Sequence, residues 1–471
     1  MRKIFLVSFI LLLSVSSAWA STISATTAGE HAIELSSGTH TYSNPIITKT
    51  GDVSGQSDDY DWKGTNAAVL AHGGAVLTIN GGSISSNATY GNAVFSYGGT
   101  NSNSNNNQGD GTTINISDAT ITTTKNNSGG IMTTGGGIMN ASNLTITTSG
   151  GSSAAIRSDS GGGNVKVDGG TYTANGQGSP AIYSTAAITV SNATLTSGIA
   201  QGVVIEGGNS VTLSNSDINA NHTKMNGQDS TYQAVLIYKS MSKDAANGQS
   251  SFNMTGGSIT NTNGDIFCIT NTTCTIILNN VNITNNDSSG NFLRAEGQKW
   301  GNSGSNGGTV TLTASGQTIS GNIIVASDSG LTMTLKDSSS FSGAINPDSE
   351  ASVKLSESAG TVNLTVEKGS KLNLTGDSYV SSLTLANTSD INYGNYNLNV
   401  GGTSYNSSNP AKGSQSESNN DSSTNDNSED TTNNEDNNAE VKTSGSSGGG
   451  CNFGYFGAGL LACVALLMKK N

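Results

Sequence analysis

Ile188–Leu195 reads ITVSNATL and, 23 residues later, Val211–Ile218 reads VTLSNSDI. In each, two aliphatic residues sit one residue apart, small polar residues follow, and a third aliphatic residue closes the segment. The alternation has the period of a strand with one buried face, and the polar residues between its apolar parts carry turn chemistry. The same pattern starts at Leu77 (LTINGGSI), Ile114 (INISDATI), Val165 (VKVDGGTY), Phe252 (FNMTGGSI) and Ile276 (IILNNVNI), with a weaker copy from Gly137. The shortest spacings cluster at 23 residues, and the longer ones fit one coil plus an inserted loop. A second, shorter apolar stretch follows the copies, centred on Val94, Ile131, Ile156, Ile182, Val203 and Val235.

One such coil has nothing against which to bury its aliphatic edge. Stacking coils about 4.8 Å apart pairs each strand with its counterpart and encloses one narrow core. The expected fold is therefore all-β, a single-stranded parallel β-helix over residues 21–400. About fifteen coils would make a rod of roughly 70 Å. From Val310 the pattern simplifies to pairs such as Met333 and Leu335, Val353 and Leu355, or Leu383 and Leu385, which predicts narrower closing coils.

Composition agrees. Of 471 residues, 33% are hydrophobic, 5% aromatic and 11% charged, with 61 glycines, so a helical bundle and a thick aromatic core are both excluded. The net charge of −13, without any basic patch, argues against a nucleic-acid partner.

The two ends read as addresses. Arg2 and Lys3, an apolar run from Ile4 to Leu13 and the ending Ala18-Trp19-Ala20 predict a signal peptide over residues 1–20, cut after Ala20. Residues 401–450 are poor in apolar side chains and rich in Asn, Ser, Asp and Glu, which predicts a disordered acidic stalk. Residues 451–471 hold Cys451, an apolar run from Phe453 to Met468, and Lys469 and Lys470. Gly448-Gly449-Gly450-Cys451 followed by that run and its basic end resembles the Synerg-CTERM type of bacterial sorting domain. The resemblance implies processing near Cys451 by sorting machinery, with attachment to the cell surface. An uncleaved membrane anchor, the run forming a short apolar helix, is the alternative.

In the middle, Asn66–Ala71 (NAAVLA), Ser153–Gly163 (SAAIRSDSGGG), Ser179–Ala186 (SPAIYSTA), Val203–Gly207 (VVIEG), Ser320–Val325 (SGNIIV) and Thr375–Leu385 (TGDSYVSSLTL) resemble the right-handed β-helix adhesin-like proteins of anaerobic bacteria. That resemblance implies pectate-lyase-like right-handed coiling and a cell-surface role. Extracellular glycan or host surface would be the partner.

Few residues offer chemistry. Placing the shorter strands in register lines up Tyr97, Arg157 with Asp159, Tyr183, Glu206, Tyr238 with Lys239, and Arg294 with Glu296 as one outward stripe. Aromatic faces and guanidinium groups at the coil spacing are able to read an extended glycan, and an ordinary solvated face is the bland alternative. Asp159 and Glu206, two coils apart, leave a polysaccharide-cleaving enzyme as a second functional reading. Cys268 and Cys274 are expected either to form a disulfide or to lie as buried thiols in adjacent strands. His31, His40, His72 and His222 have no ligand spacing and are expected at the surface, so neither metal nor cofactor is anticipated. Asp58, Asp59 and Asp61 beside Trp62 suggest an acidic loop at a capping end, with calcium binding or sugar stacking as alternatives. Outward threonines such as those of Thr145–Thr148 raise ice binding as a third reading. Interruptions at Lys166 and Asn253 count against it. The leading expectation is a monomeric, surface-anchored rod without catalytic activity.

Overall fold

The computed structural model describes residues 21–99, 108–241, 247–347 and 359–414. The proposed signal peptide with its cut after Ala20, most of the stalk, Cys451 and the apolar tail lie outside these residues, as does the Val353/Leu355 pair. No helix among the described residues is long and apolar enough to cross a membrane.

The body is a parallel β-helix. A typical coil contributes three strands: a short one to an eleven-stranded parallel sheet, then two to a 21-stranded sheet folded along its length. The eleven-stranded sheet, called here the second sheet, runs from Ile33–Leu35 to Ile323–Val325. A four-stranded and a three-stranded sheet continue the stack at the carboxyl end. Three further coils, entered through Gly330–Lys336, Thr361–Val366 and Ser382–Leu385, follow the last strand of the second sheet, so with its eleven strands the described residues build fourteen coils, in line with the expected number.

The eight-residue pattern corresponds to the two strands of the larger sheet and the bend between them. Ile188 pairs with Val211 and Val190 with Leu213, while beyond the bend Leu195 pairs with Ile218. At the bend one residue takes a left-handed backbone conformation: Asp118, Asn143, Asn192, Asn215 and Asn280 at φ between 45° and 55°, or Gly81, Gly169, Gly256 and Gly316. These residue types enter that region at least cost, which is why the fifth position of the pattern reads Asn, Asp or Gly. Gly169 has a second reason to be glycine, since a Cβ there would lie 2.5 Å from Asn143 Oδ1 in the coil below. The weak copy begins at Met139 and not Gly137, because Met139 pairs with both Ile114 and Val165.

The core is one aliphatic column through the stack, with an aromatic ladder of Phe252, Phe267 and Phe292 in edge-on contact at 5.4 and 5.7 Å. Tyr172 is fully buried and donates its hydroxyl to Gly169 O at 3.1 Å; burial pushes the phenol far above its usual range.

The fold does not stop at residue 400. Thr403–Tyr405 turns back antiparallel on Leu398–Val400, Ala411 is buried with its N–H donated to Tyr393 Oη, and Ser414 N–H reaches Leu385 O. The first fourteen residues assigned to the stalk therefore cap the helix. They cover an end that would otherwise expose unpaired strands.

Candidate ligand-binding face

The predicted stripe falls on the outer side of the second sheet, but as two rows and not one. In the first row Met132, Arg157, Tyr183, Val204, Leu236, Cys268 and Arg294 are successive partners. Glu206 pairs with Tyr238 in a second row, two residues further along the strands, where Tyr97 pairs with Thr134. The position matching Arg157 and Tyr183 is Val204, so the expected register of Glu206 was two residues off. Side-chain reach reunites the rows: both Tyr183 and Tyr238 donate their hydroxyls to Glu206 Oε2, the latter at 2.8 Å.

The face is also less exposed than a solvated stripe. Glu206 is 2% exposed and Tyr238 6%. Two loops explain this. One carries the one-turn helix Asp58–Trp62, capped by the Ser57 hydroxyl, which accepts from Asp59 N–H. It lies over the early coils: Trp62 O accepts from Thr134 Oγ1 at 2.6 Å, and Gly64 is so close to the Phe95 ring that a Cβ would stand 2.7 Å from it. Beneath it Ala67, Leu70, Phe95 and Met132 form an apolar patch outside the main core, joined by Tyr97. The acidic loop is thus a cover on the flank of the helix and not an end cap. Among the described residues no group of three or more His, Cys, Asp or Glu is placed to hold a metal.

The second loop brings Trp300 against Tyr238 with ring centroids 4.6 Å apart. Val204, Leu236, Tyr238 and Cys268 form the second outer apolar patch, against which Tyr183 and Trp300 pack. Asn306 ties the loop down by donating to Gln298 O and Trp300 O.

Between the loops sits the charged centre. Arg157 donates to Asp159 Oδ2 at 2.6 Å and to Ser152 O at 2.9 Å, and its guanidinium lies 5.7 Å from the centre of the Tyr183 ring. Its Nε is buried without a hydrogen-bond partner. Burial works against the charge of Arg157, yet Asp159 and Asp61 outweigh it and hold the guanidinium firmly protonated. Burial pushes the Asp61 carboxyl up to about 6, Arg157 opposing and Asp159 reinforcing the rise. Five coils on, Arg294 repeats the arrangement, donating to Asp265 at 2.6 Å and Glu296 at 3.3 Å. Lys239, expected beside Tyr238, points to Asn247 instead.

The disulfide is not formed. Cys268 lies on the outer face, where Gln298 Nε2 approaches its sulfur at 3.2 Å, while Cys274 belongs to the main core. The two thiols are buried on different sides of the wall, and burial raises both, Cys274 to about 12. His222 is another departure: it is fully buried, its Nδ1 accepting from Gln233 N–H at 3.2 Å, and burial holds it down to about 4.

Sequence reading missed Asp265 and Trp300 as parts of this face and gave Asp61 no place near Arg157. Asp265 faces Gln233 in the strand register, which counting from the apolar centres reveals only once the six-residue strands are known. No protein-family model matches the chain, and no curated protein or solved structure is measurably similar to it.

Proposed function

We propose that the chain is an exported, surface-displayed β-helix rod that binds a neutral, hydroxyl-rich extended glycan along the outer face of the second sheet. The observation that carries this reading is the outer face between the two loops, where the half-buried Arg157 and Tyr183 stand with Asp61 and Asp159 beside the guanidinium and Glu206 on the tyrosine hydroxyl. Carboxylates accept hydrogen bonds from sugar hydroxyls, a guanidinium donates them, and a tyrosine face packs on the apolar side of a sugar ring. Two carboxylates beside Arg157 and a third on the Tyr183 hydroxyl, on a chain of net charge −13, disfavour polyanionic glycans. Export through residues 1–20 and retention through the Cys451 tail complete the proposal. A glycan-array screen of the full chain tests it. Selective binding to neutral oligosaccharides, lost in Arg157→Gln, is the expected result; binding only to acidic glycans, or none, contradicts it.

One observation favours a second reading. A carboxyl raised to about 6 beside a carboxylate–guanidinium pair has the character of a general acid, so Asp61 with Asp159 is the pair on which polysaccharide cleavage would depend. Release of new reducing ends from an array hit, abolished by Asp61→Asn, is its signature.

A further inference from the structure

The third strands of four successive coils carry two threonines each on their outer side. Thr120, Thr145, Thr171 and Thr194 are register partners, and so are Thr122, Thr147, Thr173 and Thr196. Ser83 and Ser85 extend both columns by one coil, and Asp217 and Asn219 end them. The threonines alternate with Ile121, Ile146, Tyr172 and Leu195, all fully buried, so every threonine side chain projects outward, exposed or half-exposed.

We propose that this facet is an ice-binding surface. Along each column the hydroxyls repeat at the strand separation of about 4.8 Å, and across the pair at about 6.6 Å, two residues of strand rise. The β-helix thus presents a two-dimensional grid of hydroxyl and methyl groups that a crystalline array of water molecules can match and a single soluble molecule would not need. No charged side chain interrupts the eight threonines. A charge there would hold its own radial hydration shell and break an ordered water layer.

The hydroxyls themselves are uncommitted: none of the eight makes a hydrogen bond within the described residues. On the neighbouring panel, one bend away, polar groups instead close on each other. Asn140 donates to Asn115, and Ser191 and Asn192 both donate to Asp168. The buried column beneath the grid and pairing on both sides fix the grid before water binds, which lowers the entropy cost of ordering. Lys166 and Asn253, the interruptions that counted against ice binding in the sequence, lie on that neighbouring panel. Lys166 pairs with Asn140 and Thr189, and Asn253 with Thr212 and Ile277, so neither touches the grid.

The test uses the purified full chain in ice-recrystallisation inhibition and in adsorption of the labelled protein to a single ice crystal. Wild type is expected to coat the crystal and suppress recrystallisation. Thr147→Lys/Thr173→Lys should lose at least tenfold in activity, while Thr332→Lys, on an exposed position of the larger sheet outside the grid, should keep it. If the double lysine variant fails to fold, Thr147→Val/Thr173→Val decides, since it removes two hydroxyls from the grid and keeps the branched shape. A wild type that neither adsorbs nor inhibits, or grid variants that retain full activity, overturns the proposal. Both glycan readings stand or fall independently, because the grid shares no residue with the second sheet.

Discussion

Glu206→Ala is the substitution to which the outer face should respond most sharply. An exposed stripe residue would cost no more than about 0.5 kcal/mol on replacement. Glu206 instead sits 2% exposed, and one of its oxygens accepts both the Tyr183 and Tyr238 hydroxyls. Truncation leaves two hydroxyls in a covered site without their acceptor, at about 1–3 kcal/mol each, so the expected loss is about 2–6 kcal/mol. Unfolding entropy near 2.1 cal/mol/K per residue over a body of roughly 390 residues gives about 0.8 kcal/mol/K, which converts a loss of about 3 kcal/mol into about 4 °C. If only the central coils melt together the shift is larger, because the entropy of the unit is smaller. Glu206→Gln keeps an acceptor oxygen and should recover at least half of the loss. Thermal melting followed by circular dichroism reads both variants. A Glu206→Ala midpoint within 1 °C of wild type on the order of the 0.5 kcal/mol surface effect would refute the covered arrangement and restore the picture of a solvated stripe.

Phe267→Ala removes the middle ring of the aromatic ladder and should cost about 3–5 kcal/mol, seen as a lowered urea midpoint; an unchanged midpoint would mean that the ladder is not packed as described. Stability should respond to pH through buried groups with opposite signs. Asp61 and Asp229 are both raised to about 6 by burial, so the folded state holds more protons and their contribution declines as pH rises from about 4 to 6. His222, held down to about 4, contributes the reverse, a loss as pH falls from about 6.5 to 4. Asp61→Asn should therefore raise the melting midpoint at pH 7 and leave it unchanged at pH 4, and a gain at pH 4 alone would contradict the assignment. Because Cys268 and Cys274 are separate thiols, a reductant should not move the melting curve, whereas a disulfide would make it do so.

The coil was legible because its chemistry is local. Alternation gives the strands, and the left-handed bend admits little besides Asn, Asp and Gly, so the fifth position of each copy marks it even where the apolar residues vary. What was not legible depends on the inserted loops. Nothing in Asp58–Trp62 says that it folds over Phe95, and nothing near Trp300 says that it meets Tyr238 across more than sixty residues of chain. Those two covers turn an outward stripe into a half-buried face. The register of Glu206 failed for a related reason: counting from apolar centres treats VVIE and IYS as equal, although the longer strand carries its carboxylate one side-chain repeat further along. Cys268 and Cys274 looked paired because they are six positions apart, yet the corner between them sends one thiol outside the wall and the other into the core.

Hydrogen-exchange mass spectrometry of the full chain, with and without the glycan identified on the array, locates the binding face itself. Protection should be confined to Asp58–Lys63, Ile156–Asp159, Ile182–Ser184 and Val203–Glu206, with the larger sheet unchanged. Protection on the larger sheet alone, or none at a saturating glycan concentration, would contradict the assignment of the binding face to the second sheet.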